Sequence, residues 1–191
     1  MGHLTDLESD KYLTAWSLPE YRKVSPGKVW AETFCSITGC RAGETVLDAG
    51  CGAGEGGREI ARLTGATVTY LDLVLVQGVP RPFLQQALWE RIRIELVKPS
   101  ISDWDYAFCC DVMEHIPQEM SMLVVHNLLE VCRRVFFSIS FLPDRLGRMV
   151  GKPLHLNVQN FVWWRDRLRE MGTLLEARDC LGEGVFYVEA K

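Results

Sequence analysis

Three groups of residues in this chain have the types and spacing to do chemistry. The first is Asp48-Ala49-Gly50-Cys51-Gly52-Ala53-Gly54, a carboxylate followed by three alternating glycines. Glycines at this spacing let a backbone turn sharply and approach a ligand closely. The second is Asp72, about 20 positions past that loop, the spacing at which a carboxylate at a strand end can accept hydrogen bonds from ribose hydroxyls. The third is Asp111-Val-Met-Glu114-His115-Ile-Pro117, with a more distant His155 in Pro153-Leu-His155-Leu-Asn157. A histidine titrates near neutrality and suits proton transfer. Two carboxylates with two imidazoles also form a plausible set for a divalent cation.

The first group must sit between a strand and a helix. Thr45-Val46-Leu47 is a short β-branched and apolar run, the pattern of a buried parallel strand, and a helical pattern follows from about Glu55 to Leu63. A helix N-terminus beside glycines offers unpaired N–H donors to a nucleotide-like ligand. Gly52-Ala-Gly54-Glu-Gly56-Gly57 satisfies the G-x-G-x-x-G string of dinucleotide sites, which is weak by itself. Asp48 and Glu55 argue against a pyrophosphate, because each would repel it. They favour a cationic ligand that carries no phosphate.

Val46-Leu-Asp-Ala-Gly-Cys-Gly-Ala-Gly54 resembles the first motif of the class I S-adenosylmethionine-dependent methyltransferases. In that superfamily the strand-end acid lies near the methionine amino group and the glycines pass under the ligand. The resemblance implies a cofactor set of Asp48, Ala49, Gly50, Cys51, Gly52, Asp72, Leu73, Leu88 and Asp111. Asp111-Val-Met-Glu-His-Ile-Pro117 resembles the acidic E-H-I-P segment of small-molecule methyltransferases. This implies catalytic roles for His115, Glu114 and His155, with His115 as the base. The same residues resemble the E-x-x-E-H metal-binding arrangement of small-RNA 2′-O-methyltransferases and ubiquinone-pathway O-methyltransferases. A divalent metal is therefore an alternative use of Asp111, Glu114, His115 and His155, although no residue is assigned to metal in the main reading. The whole arrangement resembles short methyltransferase-domain proteins, many of them phage-encoded.

The rest of the chain supplies the elements of that fold. Residues from about Leu7 to Trp16 suggest a short amphipathic helix, with Leu7, Tyr12, Leu13 and Trp16 apolar. Ser25-Pro26 starts a second helix that runs to about Thr38 before Gly39. This N-terminal segment, residues 1–40, is expected to cap the cofactor, with Arg22 and Lys23 available to an anion. Residues 41–191 are expected to form the methyltransferase domain. Thr67–Leu71 reads as the second strand, ending at Asp72. Two stretches compete for the third: Phe83–Leu88, and the alternating Arg91-Ile-Arg-Ile-Glu-Leu96. Ala87 stands where related enzymes carry an adenine-contacting acid, which moves that contact toward Leu88. Trp104–Asp111 and Val135–Phe141 read as the fourth and fifth strands, separated by a helix from Pro117 to about Cys132. Leu142–Leu156 is long for a plain connector and is expected to be a substrate-facing lid. A helix from about Asn160 to Met171 and a terminal hairpin complete the chain. Trp163 and Trp164 either orient a planar substrate beside the lid or pack this helix on the sheet. The expected fold is α/β: a Rossmann-like, seven-stranded methyltransferase sheet with helices on both faces and an antiparallel last strand.

Composition sets the outer bounds. The chain has 191 residues, 48% hydrophobic and 24% charged, with a formal net charge of -4. That suits one globular unit. It has no apolar run near the roughly 20 residues of a membrane span and no basic tail to grip phosphates. The seven cysteines form no C-x-x-C pair and suit a reducing, cytoplasmic setting. The expected function is S-adenosylmethionine-dependent O- or N-methylation of a small-molecule or nucleotide-sized acceptor. Nucleic-acid methylation and a catalytically silent cofactor-binding scaffold are the alternatives. No oligomeric state follows from the sequence.

Overall fold

In the computed structural model of this protein, residues 2–23, 25–92 and 104–191 are described. Three helices open the chain: α1 (Gly2–Ser17), α2 (Pro19–Arg22) and α3 (Pro26–Thr38). Strands and helices then alternate: β1 (Thr45–Ala49), α4 (Glu55–Thr64), β2 (Thr67–Asp72) and β3 (Phe83–Gln85). β4 (Trp104–Cys110), α5 (Gln118–Val131), β5 (Cys132–Ser140) and a single-turn α6 (Gly147–Val150) follow. The chain ends with α7 (Phe161–Met171), β6 (Thr173–Asp179) and β7 (Glu183–Glu189).

The seven strands form one sheet in the order β3-β2-β1-β4-β5-β7-β6. β1 through β5 pair in parallel, while β7 lies antiparallel between β5 and β6. The order reverses between β1 and β4. Open α/β sheets bind ligands in the crevice at such a point, beyond the carboxyl ends of the strands.

Period-two alternation divides the side chains of the central strands between two cores. Tyr106, Phe108, Cys110, Phe136 and Tyr187 face α3 and α4, where they meet Phe34 and Ile60. Ala107, Cys109, Phe137, Phe186 and Val188 face α5 and α7, where they meet Leu128 and Trp164. α3 crosses α4 at two glycines: a Cβ on Gly56 would come within 2.8 Å of the Phe108 ring and 3.3 Å of Gly27 Cα. Only glycine permits that approach, which brings the start of α4 under the N-terminal segment.

Of the two stretches competing for the third strand, Phe83–Gln85 forms it; Arg91 and Ile92 are not in a strand, and the remainder of that stretch lies outside the described residues. The long loop expected as a lid carries the single turn α6. The buried face of α1 is also turned from the apolar stripe expected. Leu7 and Leu13 are exposed, whereas Ala15 and Lys11 are buried and Lys11 pairs with Glu8. α1 lies over a cavity rather than on the core, so its inward face carries polar and aromatic groups. Among the described residues, no helix is long and apolar enough to cross a membrane.

Candidate active site

The cavity lies beyond the carboxyl ends of β1, β2 and β4 and measures about 490 Å³, within the range of small-molecule sites. Its floor is the glycine loop. Gly50 and Cys51 donate their N–H groups to Leu71 O at 2.8 and 3.0 Å, tying the loop to β2. Gly52 has a φ of +52°, in the left-handed region, and a Cβ there would strike the Trp16 indole at 2.5 Å. Asp72 grips the loop from β2: its Oδ2 accepts from Gly52 N–H at 2.8 Å and its Oδ1 from Val74 N–H at 3.1 Å. Asp48 grips the other flank, with Oδ2 accepting from Gly57 N–H at 2.8 Å in the first turn of α4. Burial pushes the Asp48 carboxyl up to about 7, against the pull of the Gly57 N–H. Burial raises Asp72 too, against three backbone N–H groups. Two desolvated carboxyl groups beside one cavity favour a cationic ligand, which would return both to the charged form.

The second half of the cavity is built from three separate pieces of chain. The turn after β4 brings Asp111 and His115, the loop after β5 brings Leu142 through Leu146 and His155, and α1 brings Tyr12 and Trp16. Asp111 takes a φ of +56°, a conformation rare outside glycine and asparagine, and its N–H is fixed on Ser138 O at 3.0 Å. That turn aims the acid back toward the histidines. Asp111, Glu114, His115 and His155 each place one potential ligand atom within 4.8 Å of all the others.

The bonding of the two imidazoles fixes their tautomers. His115 Nδ1 lies 3.1 Å from Leu154 O, and His155 Nδ1 lies 2.6 Å from Leu142 O. A carbonyl only accepts, so each Nδ1 carries the hydrogen and each Nε2 keeps a bare lone pair. Histidines that bind metal are oriented in this way. Burial holds His115 down at about 4, opposed by Asp111 and assisted by His155 and Lys11. Glu114 is fully buried. Its Oε1 accepts from Ser140 N–H at 2.8 Å, while Oε2 has no partner. Burial and the neighbouring Asp111 push its carboxyl well above the usual range. An orphaned carboxylate oxygen, a like-charged neighbour and two bare imidazole nitrogens make a donor set that fits a divalent cation.

Of the residues expected at the cofactor, Asp48, Gly50, Cys51, Gly52, Asp72, Leu73, Leu88 and Asp111 line the cavity. Ala49 does not; it is buried within β1. Of the expected catalytic residues, His115 and His155 line the cavity, and Glu114 stands behind them in the cluster. Ala87 and Leu88 form wall, with Trp89 beside them, and among the described residues no side-chain acid replaces the missing one there. Arg22 lines the cavity and its Nε donates to Trp16 O at 2.5 Å; Lys23 does not line it. Neither tryptophan of the Trp163-Trp164 pair reaches the cavity: Trp164 is fully buried under α7, and Trp163 stacks beneath the Arg167 guanidinium. Tyr12 and Trp16, expected only as apolar positions of a short helix, also line the cavity, as does Tyr21. In the sequence they stand four and five positions apart.

No protein-family model matches the sequence, and no curated protein matches it. Solved structures do match. A 1,6-didemethyltoxoflavin-N1-methyltransferase of Burkholderia thailandensis, with 1,6-didemethyltoxoflavin and S-adenosylhomocysteine bound, aligns over 100% of this chain and 90% of its own. The TM-score is 0.72 and the identity 13%. A magnesium protoporphyrin IX methyltransferase of Synechocystis PCC 6803, with S-adenosylhomocysteine bound, aligns over 100% of this chain and 97% of its own, with a TM-score of 0.61 and 17% identity. The mitomycin 7-O-methyltransferase MmcR aligns over 95% of this chain and 60% of its own, with a TM-score of 0.65 and 11% identity. At these identities the likeness is one of architecture: this chain has the class I methyltransferase fold.

Proposed function

We propose that this protein is an S-adenosylmethionine-dependent methyltransferase acting on an oxygen of a small molecule. The observation that carries this reading is the union, in one cavity, of a carboxylate-gripped glycine loop and the Asp111–Glu114–His115–His155 cluster. The bound products and cofactors of the structural relatives support the cofactor, and their acceptors support a small molecule.

In this reading Asp72 takes the ribose hydroxyls on its free lone pairs, and Leu73 and Leu88 hold the adenine. Asp48 fixes the loop and supplies negative charge toward the methionine amino group. Transfer is an in-line displacement: an acceptor lone pair forms the new bond to the methyl carbon as the carbon–sulfur bond breaks, and its electron pair stays on sulfur. The enzyme's contribution is mainly to hold the two reacting atoms in line. A hydroxyl acceptor also loses a proton, which passes to the carboxylate–imidazole cluster. His115 alone is a weak base for this step, since burial keeps it neutral and poorly basic. Asp111, Glu114, His115 and His155 would hold a divalent cation. When bound, such an ion supplies Lewis acidity toward an acceptor oxygen. Residues 1–40 act as a cap in which α1 and α2 wall the cavity while α3 joins the core. Seven cysteines without a C-x-x-C pair suit a cytoplasmic setting.

Titration calorimetry with S-adenosylmethionine, S-adenosylhomocysteine and NADH tests the reading. Both adenosyl compounds should bind and NADH should not; NADH binding alone would replace it with a dinucleotide site. A labelled-methyl screen with and without a chelator then tests turnover and metal use.

A further inference from the structure

Asp144 has no place in the chemistry described so far, yet it organises the loop that carries His155. That loop leaves the sheet after β5 and returns on itself, and its two ends meet where His155 Nδ1–H donates to Leu142 O at 2.6 Å. Asp144 makes a second rung inside the first. One of its oxygens accepts from Gly147 N–H, and the other accepts from Leu154 N–H at 3.1 Å, ten positions along the chain. Against the upward push of burial, the N–H groups of Gly147, Leu154 and His155 hold the Asp144 carboxyl below its ordinary range. The loop is drawn in tightly at this clasp. Lys152 N–H donates to Gly147 O at 3.1 Å, and a Cβ on Gly147 would come within 2.6 Å of Lys152 O.

The clasp also reaches the turn after β4. Leu154 gives its N–H to Asp144 and receives His115 Nδ1–H on its carbonyl at 3.1 Å. Glu114 holds the loop at both ends: Ser140 N–H donates to its Oε1 at 2.8 Å, and Leu156 and Asn157 N–H donate to its backbone oxygen at 2.7 and 3.0 Å. The lid is thus fastened to two members of the cluster, and it brings a third.

We propose that Asp144 is a positioning residue whose clasp closes the lid into the shape in which His155 meets Asp111, Glu114 and His115, so that a divalent cation at the cluster locks the lid over the cavity. This rests on the reading of that cluster as a cation site. Three of the four donors stand on the turn after β4, and the fourth stands on the lid. The set is complete only with the lid closed. A cation held by all four binds the closed form more tightly than the open one, and by linkage it shifts the lid toward closure to the same extent. Asp144 acts on this link without being one of the donors, because its oxygens are spent on backbone N–H groups. Without the clasp, His155 sits on a loop with more conformations to lose on binding. Closure also brings α6 against α1, which joins the lid to the roof and shuts water out of the cavity.

Limited digestion with trypsin reads the lid, since Arg145 and Arg148 are exposed on it. Cleavage there follows the population of the open form. Manganese is the probe, and calorimetry gives its affinity. In the wild-type chain manganese should slow cleavage at both arginines about tenfold. Asp144→Asn should be cut faster than wild type without manganese and bind manganese about tenfold more weakly. Its affinity for S-adenosylhomocysteine, measured with a chelator present, should match wild type. His155→Ala keeps the clasp and removes the lid's donor, so manganese should no longer slow its cleavage; this arm decides the lock whether or not Asp144→Asn folds. Four results would overturn the proposal: manganese that leaves wild-type cleavage unchanged or does not bind, protection that survives in His155→Ala, unchanged manganese affinity in Asp144→Asn, or a loss of S-adenosylhomocysteine binding in that variant. Wild-type binding of S-adenosylhomocysteine in chelator separates the two readings: if it holds while the lid ignores manganese, only the link between lid and cluster falls.

Discussion

The two halves of the cavity, the proposed cofactor side and the proposed acceptor side, are built on opposite plans. The cofactor side comes from adjoining strands and one contiguous loop. Its geometry is held by backbone N–H groups on Asp48 and Asp72, and each carboxylate is anchored within its own neighbourhood. The acceptor side is assembled from α1, the turn after β4 and the loop around α6. Its polar groups are left partly unpaired: Glu114 Oε2 and the Tyr12 hydroxyl have no partners, and both histidine Nε2 atoms are bare. A half that is satisfied by its own backbone is preorganised for one ligand. A half with open valences waits for ligands that the chain does not supply.

If the halves are separable, substitutions should divide between them. The largest effect is expected from Asp72→Ala. Losing a carboxylate that holds the loop and, as proposed, the ribose should weaken S-adenosylmethionine about a hundredfold by calorimetry. An effect of similar size on divalent-ion binding would break the division. Next comes His155→Ala, at a partly exposed position where little packing is lost. It should abolish the rise in melting temperature on adding manganese, and lower turnover about ten- to a hundredfold, while cofactor affinity stays within about twofold. A matching loss of cofactor binding would merge the two halves into one.

The smallest effect sharpens the electrostatic side of the comparison. The Asp48 carboxyl titrates at about 7 in the folded chain, above its ordinary value of 3.8, because of burial. Between those values the folded state holds more protons than the unfolded one. Stability from this group is complete below about pH 4 and is lost as pH climbs through about 7. Asp48→Asn should therefore melt a few degrees above wild type at pH 8, with the gap closing toward pH 4. Scanning calorimetry without ligand measures it. A constant gap across that range would mean that Asp48 is already charged in the free protein.

The same contrast explains what could be read from the residues alone. The cofactor side was legible because its parts are close in sequence: a β-branched run, a strand-end acid, alternating glycines and a second acid after the next strand. Parallel-sheet order followed, since each strand–helix unit carried its own period and stop signal. The acceptor side was legible only by residue type. Asp111, Glu114 and His115 stand together in the chain, but nothing local says that His155 returns to them; that depends on Leu142 and Leu154 carbonyls placed by the lid. α1 was the least legible element. Its aromatic residues looked like core stripe, but Leu7 and Leu13 face water and Lys11 is buried, because the helix roofs a cavity. Helical periodicity reports which face is apolar and not what lies beneath it.

The indole of Trp16, resting where a side chain on Gly52 would stand, ties that roof to the floor. Anything that slides between them must first part the two surfaces. In the proposed reading, release of the spent cofactor waits on the amino-terminal helix parting from the glycine loop, a segment that takes no part in bond making.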